Sequence, residues 1–99
     1  MTQKLLDNVN IDTVGSPLIG DGGSKVIIIY GGSLGGGSVA LELSSDNGNT
    51  WSPVYYDGSP FITSAFSTYF LRKIAQGQLI RASLSGSTGA SNVTVEMNM

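Results

Sequence analysis

The chain has 99 residues, enough for one domain with a modest core, and it carries five basic and seven acidic residues but no histidine and no cysteine. Without cysteine there are no disulfides or thiolate metal ligands, and without histidine the commonest general base and metal ligand is missing. The basic residues form no run, which argues against a nucleic-acid partner, and 40% hydrophobic residues indicate one folded domain over residues 1–99.

Residues 1–14 admit two interpretations. Apolar side chains between residues 4 and 14 alternate imperfectly, which predicts a first strand with a bulge or an early bend. The same irregularity, the Asn and Asp content and the Gly/Pro loop at residues 15–24 are also compatible with an extended N-terminal arm that reaches a neighbouring subunit. The residues expected to make that contact are Leu5, Leu6 and Val9.

Neither the N-terminus nor the second strand predicts a membrane protein. The opening MTQKLLDNVN has no apolar core and no cleavage site of a signal peptide, so we expect a protein made in a cytoplasm. Residues 25–30 (KVIIIY) are apolar and β-branched, which predicts a strand covered on both faces, and this apolar run is too short to span a bilayer.

The rest of the chain predicts further short strands. Val39, Leu41 and Leu43 alternate with smaller or polar residues, which is typical of a half-buried antiparallel strand over residues 39–44. Residues 51–56 follow as a partner strand that Pro53 places at an edge or a bulge. We predict further strands at residues 61–65, 67–74, 79–84 and 92–97, with a turn at residues 57–60.

These elements together predict an all-β fold. About eight strands at roughly ten-residue spacing, separated by turns rich in glycine and serine, are typical of a two-layer antiparallel β-sandwich. Both a jelly-roll and an immunoglobulin-like arrangement fit this count, because a single sequence does not give the strand order.

Residues 44–51 read SSDNGNTW, the Ser-x-Asp-x-Gly-x-x-Trp pattern called an Asp-box, which is repeated in sialidase-like propellers. Each residue has a structural role: Asp46 accepts backbone N–H bonds, Gly48 supplies a positive φ, and Ser44 ties its hydroxyl to the same loop. Trp51 is expected to pin the hairpin to the core by burying area worth roughly 2–3 kcal/mol. A single box without a repeat therefore predicts a hairpin, not glycan chemistry.

No catalytic or cofactor-binding constellation is evident. The carboxylates are scattered among turns and polar strand faces, which favours turn formation and solubility over a glycosidase pair. Gly35, Gly37 and Ala40 match the spacing of a dinucleotide-binding fingerprint, but a strand follows where the fingerprint requires a helix. We therefore expect no enzyme activity, no cofactor and no metal.

Aromatic residues are concentrated between residues 51 and 70. The adjacent Tyr55 and Tyr56 point to opposite faces of a strand, so one of them is expected outside the core. These rings either pack within the sandwich or form an aromatic anchor at a subunit interface.

Two segments carry a resemblance to a known family. A glycine-rich turn leads into VALELSSDNGNTWSPV, and LIRASLSGSTGASNVTVEM closes the chain. Together they resemble a family of small virion structural proteins of tailed bacteriophages, over about three quarters of the chain. The resemblance implies a β-sandwich that coats or cements a capsid, or that belongs to a fibre or tail accessory.

These expectations define one main functional hypothesis. It is a non-enzymatic head decoration (cement) protein that forms a homotrimer or homodimer and bridges neighbouring major capsid subunits on the virion surface, after assembly in the cytoplasm of the host bacterium. The alternative is a tail or fibre accessory, or a carbohydrate-binding host-recognition module in which Tyr55 or Tyr56 stacks on sugars.

Overall fold

The computed structural model describes residues 2–56, 58–71 and 74–98, and within these residues every regular element is a β-strand. The described residues form twelve short strands, more than the eight or so that the sequence predicts. They are β1 (Thr2–Val9), β2 (Thr13–Val14), β3 (Leu18–Ile19), β4 (Lys25–Tyr30), β5 (Ser38–Ser44), β6 (Ser52–Pro53), β7 (Tyr55–Tyr56), β8 (Ser59–Pro60), β9 (Ile62–Thr63), β10 (Thr68–Leu71), β11 (Leu79–Ser85) and β12 (Val93–Asn98).

The strands form two antiparallel sheets and a small ribbon. The first sheet has the order β1-β12-β4-β10, and the second has the order β2-β11-β5-β6. Because β3 also pairs with β11 and β9 also pairs with β5, the second sheet has only four strand positions. When β2 with β3 and β6 with β9 are each counted as one strand, and the ribbon of β7 and β8 is left out, eight strands remain. Numbered in chain order, they are arranged 1-8-3-6 in the first sheet and 2-7-4-5 in the second, which is the arrangement of a jelly roll. An immunoglobulin sheet would instead place its first two strands side by side.

The core lies between the two sheets and follows the alternation of the sequence. Val39 and Leu41 of β5 and Ile80, Ala82 and Leu84 of β11 are buried, and the residues between them face outward. Strand β4 was predicted to be covered on both faces, but only Lys25, Ile27 and Ile29 are buried, while the outward residues of the strand are half-buried or exposed.

The N-terminal segment forms two strands in different sheets. Thr2–Val9 pairs with β12, and the predicted bulge is confirmed by register shifts between Lys4 and Leu6 and between Leu6 and Val9. Because of the first shift, the neighbours Leu5 and Leu6 both face the core and are only 2% exposed. The predicted contact of Leu5 and Leu6 with another subunit is therefore wrong for the folded chain, and Val9 also packs against the core.

Residues 51–71 depart furthest from the predicted strands. The predicted strand over residues 51–56 divides into β6 and β7, and β6, which contains Pro53, is the outermost strand of its sheet, as expected for a strand that lacks a donor. Asp57 of the predicted turn and Arg72 and Lys73 of the predicted strand over residues 67–74 lie outside the described residues.

Candidate functional site: the outer face of the second sheet

The Asp-box closes a hairpin at the end of β5 through the hydroxyl of Ser44. This buried Oγ donates to Asp46 Oδ1 at 2.8 Å and accepts from the backbone N–H of Gly48 at 2.8 Å. Asn47 and Gly48 both adopt positive φ, of 63° and 92°, so the turn needs an asparagine as well as the predicted glycine. The roles predicted for Ser44 and Gly48 are confirmed.

Asp46 is the acceptor at the centre of the same hairpin. Its carboxylate accepts from the side chain and the backbone N–H of Thr50, the latter at 2.9 Å, and from Ser44. These hydrogen bonds, those from Thr50 first, lower the pKa of Asp46 from 3.8 to about 2. Thr50 was not predicted, although its place four residues after Asp46 suits a side chain that closes a turn.

Trp51 holds the hairpin but does not reach the core. Its Nε1 donates to the carbonyl of Gly48 at 3.1 Å, and the guanidinium of Arg81 lies 4.0 Å from the centre of its ring. Arg81 in turn donates from Nε to Glu42 at 3.0 Å, so the half-buried indole lies on the outer face of the second sheet. The prediction that Trp51 pins the hairpin to the core is wrong, because the ring packs against Arg81 on the outer face of the sheet and is not among the side chains packed on the core.

The lowered pKa of Asp46 makes the stability of the hairpin depend on pH. Because the folded-state pKa lies below the unfolded value, the carboxylate stabilises the fold above pH 3.8, and this contribution is lost as the pH falls toward 2. We expect Asp46→Asn to melt below the wild-type protein at pH 7, and the difference to shrink between pH 4 and pH 2. Thermal melts of both proteins across this range measure the effect.

A constant difference across that range would contradict this account of Asp46. Asp12 and Asp21 also have lowered pKa values, through hydrogen bonds from Ser87 and Lys25 respectively. Both carboxyl groups are present in the two proteins that are compared, so their titration cancels in the difference.

Beyond the hairpin, the register of the second sheet aligns a row of small and apolar residues across its outer face. Val14 pairs with Ser83, Ser83 with Ala40, and Ala40 with Ile62. The two ends of the row are large and exposed, Val14 at 61% and Ile62 at 64%, while the middle is small. We call these four residues the outer row.

A third exposed aliphatic residue, Ile19, lies on the same face but further along β11, beyond Arg81. Ile19 pairs with Leu79, and both lie on the side of β11 that carries Arg81 and Ser83. The face therefore joins exposed aliphatic side chains at its edges to a central ion pair of Arg81 and Glu42, which adds no net charge. Such a surface is typical of a protein contact.

The tyrosines predicted at an interface point in opposite directions, as expected. Tyr55 is exposed, whereas Tyr56 packs edge-to-face against Phe61 and Tyr69, with ring centres 5.8 Å and 5.6 Å apart. Tyr56 is therefore part of the packed interior at this end of the sandwich, and only Tyr55 offers its side chain to a partner.

In the described part of the chain, no three His, Cys, Asp or Glu side chains are grouped so that they could hold a metal ion. The same residues include no helix that is long and apolar enough to cross a membrane. No family model matches the chain, and no curated protein and no solved structure matches it either.

Proposed function

We propose that this chain is a non-enzymatic decoration protein of a tailed-phage head, which associates with copies of itself and binds across neighbouring major capsid subunits to stabilise the head. The observation that carries the proposal is the outer row, which places two exposed aliphatic side chains, Val14 and Ile62, on one face of the second sheet. The jelly-roll arrangement supports it, since this fold recurs in viral capsid proteins, and so does the resemblance of the two quoted segments to small virion proteins.

The shape of the outer row favours a second copy of the chain as the direct partner. Val14 and Ile62 project at its two ends, and Ala40 and Ser83 leave a shallow trough between them. When two such faces meet about a two-fold axis that is offset along the row, one ridge of each copy fits the trough of the other. The Glu42–Arg81 pair remains satisfied within each copy, so no charge is left unpaired.

The size of the face indicates why one contact is not enough. The face is four strand positions wide, with strands about 4.8 Å apart, and seven residues long in β5 and β11, with a rise of about 3.3 Å per residue. Its area is therefore roughly 440 Å². A standard interface buries about 800 Å² on each partner. Self-association through this face is therefore weak alone, and further contacts with capsid subunits would supply the rest by avidity.

The test is the binding of the purified protein to heads that lack it. We expect on the order of hundreds of copies per head, by quantitative gel or cryo-electron microscopy, and a higher melting temperature of the occupied head. A dozen copies or fewer would instead indicate a tail or fibre accessory and would contradict the proposal.

Substitution of the outer row tests which surface is used. We expect Val14→Ser with Ile62→Ser to remain folded, because both side chains are exposed. We expect this variant to self-associate less than the wild-type protein in sedimentation at the same high concentration, and to reduce head occupancy at least about tenfold. Ile11→Ser is the matched control, since Ile11 is at least as exposed as Val14 and Ile62 but does not belong to the outer row. Equal occupancy by the double variant and the control would overturn the assignment of this face.

A further inference from the structure

A polar groove of about 740 Å³ opens at one end of the first sheet, on the opposite side of the sandwich from the outer row. It is lined by Lys4, Asp7, Asn8, Tyr30, Gly31, Gly32, Asn92 and Thr94. These residues come from β1, β4 and β12, from the loop that follows β4 and from the loop that precedes β12, so only the folded sheet brings them together.

The bulge in β1 creates one wall of this groove. Between Leu6 and Val9 the strand leaves its register with β12, so Asp7 and Asn8 are released from the regular ladder. Asn8 adopts a φ of 55°, and its backbone N–H bonds to the hydroxyl of buried Thr94 at 3.1 Å. Asn92, also in the groove lining, has a φ of 54°, so two of the lining residues adopt a left-handed backbone that is uncommon outside glycine.

Tyr30 supplies the aromatic surface of the groove. It is the last residue of β4, and its side chain is 42% exposed. Its hydroxyl donates to Glu96 at 2.6 Å, which fixes the direction of the ring, and this bond to Glu96 also raises the pKa of Tyr30. The ring is therefore held in place before any ligand binds.

The charges around the groove nearly cancel. Lys4 contacts Asp7 at 3.3 Å, and Glu96 beside Tyr30 brings the formal charge of these three residues to −1. Such a groove does not attract phosphate or other anions. Its fixed aromatic ring, amide groups and carboxylates suit a ligand that has many hydroxyl groups and one apolar face.

We propose that this groove binds a neutral saccharide, which stacks on Tyr30 and exchanges hydrogen bonds with Asp7, Asn8 and Asn92. The site differs from the one that the exposed Tyr55 would offer, and it lies on the other sheet from the outer row. Saccharide binding and head decoration are therefore separable properties of the chain.

The test is a screen of the wild-type protein on an array of neutral and acidic glycans, followed by titration of the best neutral glycan with ¹⁵N-labelled protein. We expect binding to neutral glycans, with chemical-shift changes concentrated at Asn8, Tyr30, Gly31 and Asn92. No binding to any neutral glycan, binding confined to acidic ones, or shift changes concentrated elsewhere would each overturn the proposal.

Three variants refine the test. Tyr30→Ala is expected to weaken binding at least about tenfold, and Tyr30→Phe, which keeps the ring but loses the bond to Glu96, less than that. Tyr55→Ala is the control, because it removes the same kind of aromatic side chain at an exposed position outside the groove lining. Unfolding midpoints show whether each variant is folded, and unchanged binding by folded Tyr30→Ala would contradict the assignment.

Discussion

Replacement of Gly15 by alanine is expected to destabilise the protein by about 3 kcal/mol, the upper end of the usual range for overpacked sites. A Cβ atom at this position would lie 1.9 Å from the carbonyl oxygen of Leu5 and 3.0 Å from a methyl carbon of Leu6. The backbone of Gly15 also donates to the carbonyl of Ala82 at 2.8 Å, so it is held from the other side. Since the obstacle is backbone rather than a mobile side chain, the chain must shift to relieve it.

The measurement is the free energy of unfolding from urea titration, with Gly36→Ala as the matched control. Gly36 has a φ of 77° and open space around its Cβ position, so alanine there adds backbone strain of about 1 kcal/mol and no clash. If Gly15→Ala proved no less stable than Gly36→Ala, the close passage of the chain at Gly15 would be refuted. Because a domain of this size has only about 5–15 kcal/mol of stability, the expected difference is easily measured.

Removal of the carboxylate of Asp21 is the second substitution with a large expected effect. Lys25 begins β4 with its side chain only 1% exposed, and its ammonium is paired with Asp21. Asp21→Ala leaves this ammonium buried without its partner, which we expect to lower the free energy of unfolding. The same contact with Lys25 lowers the pKa of Asp21, so the contribution of the pair is lost as the pH falls below the ordinary range of a carboxyl group.

Substitution of the other partner should have a much smaller effect. Lys25→Met keeps the volume of the side chain and removes the buried charge, while the half-exposed Asp21 remains hydrated. We expect Lys25→Met to change the free energy of unfolding by less than about 1 kcal/mol and to restore most of the stability lost in Asp21→Ala when the two are combined. Urea titration measures the free energy of unfolding of the three variants. Equal losses of stability in all three would refute the expected difference between removing the carboxylate and removing the ammonium.

The sequence predicted the all-β class and much of the core. The alternation of Val39 and Leu41 and of Ile80 and Leu84 placed these residues correctly, since burial in a strand follows a period of two wherever the register is regular. The prediction that Leu5 and Leu6 contact another subunit failed because the register is irregular there. A register shift buries these two neighbours in a row, and the position of such a shift depends on the partner strand.

The hairpin of the candidate site was largely predictable, and its surroundings were not. Ser44, Asp46 and Gly48 act within a few residues of one another, so local geometry determines their hydrogen bonds. Trp51 was misplaced because the residue that covers it, Arg81, is 30 positions away in the sequence and reaches it only through the pairing of β5 with β11. The Asp-box pattern alone does not identify a packing partner that comes from another strand.

By itself, the sequence determined the strand-forming segments, the turn chemistry of the Asp-box and the absence of cysteine and histidine chemistry, because each depends on residue type and short-range spacing. Only the tertiary structure decided the jelly-roll order, the outer row and the groove beside Tyr30. Each of these brings together residues from strands far apart in the chain, and which strands become neighbours depends on the packing of the whole sandwich. The surfaces available for binding are therefore a property of strand order, which the alternation within single strands does not encode.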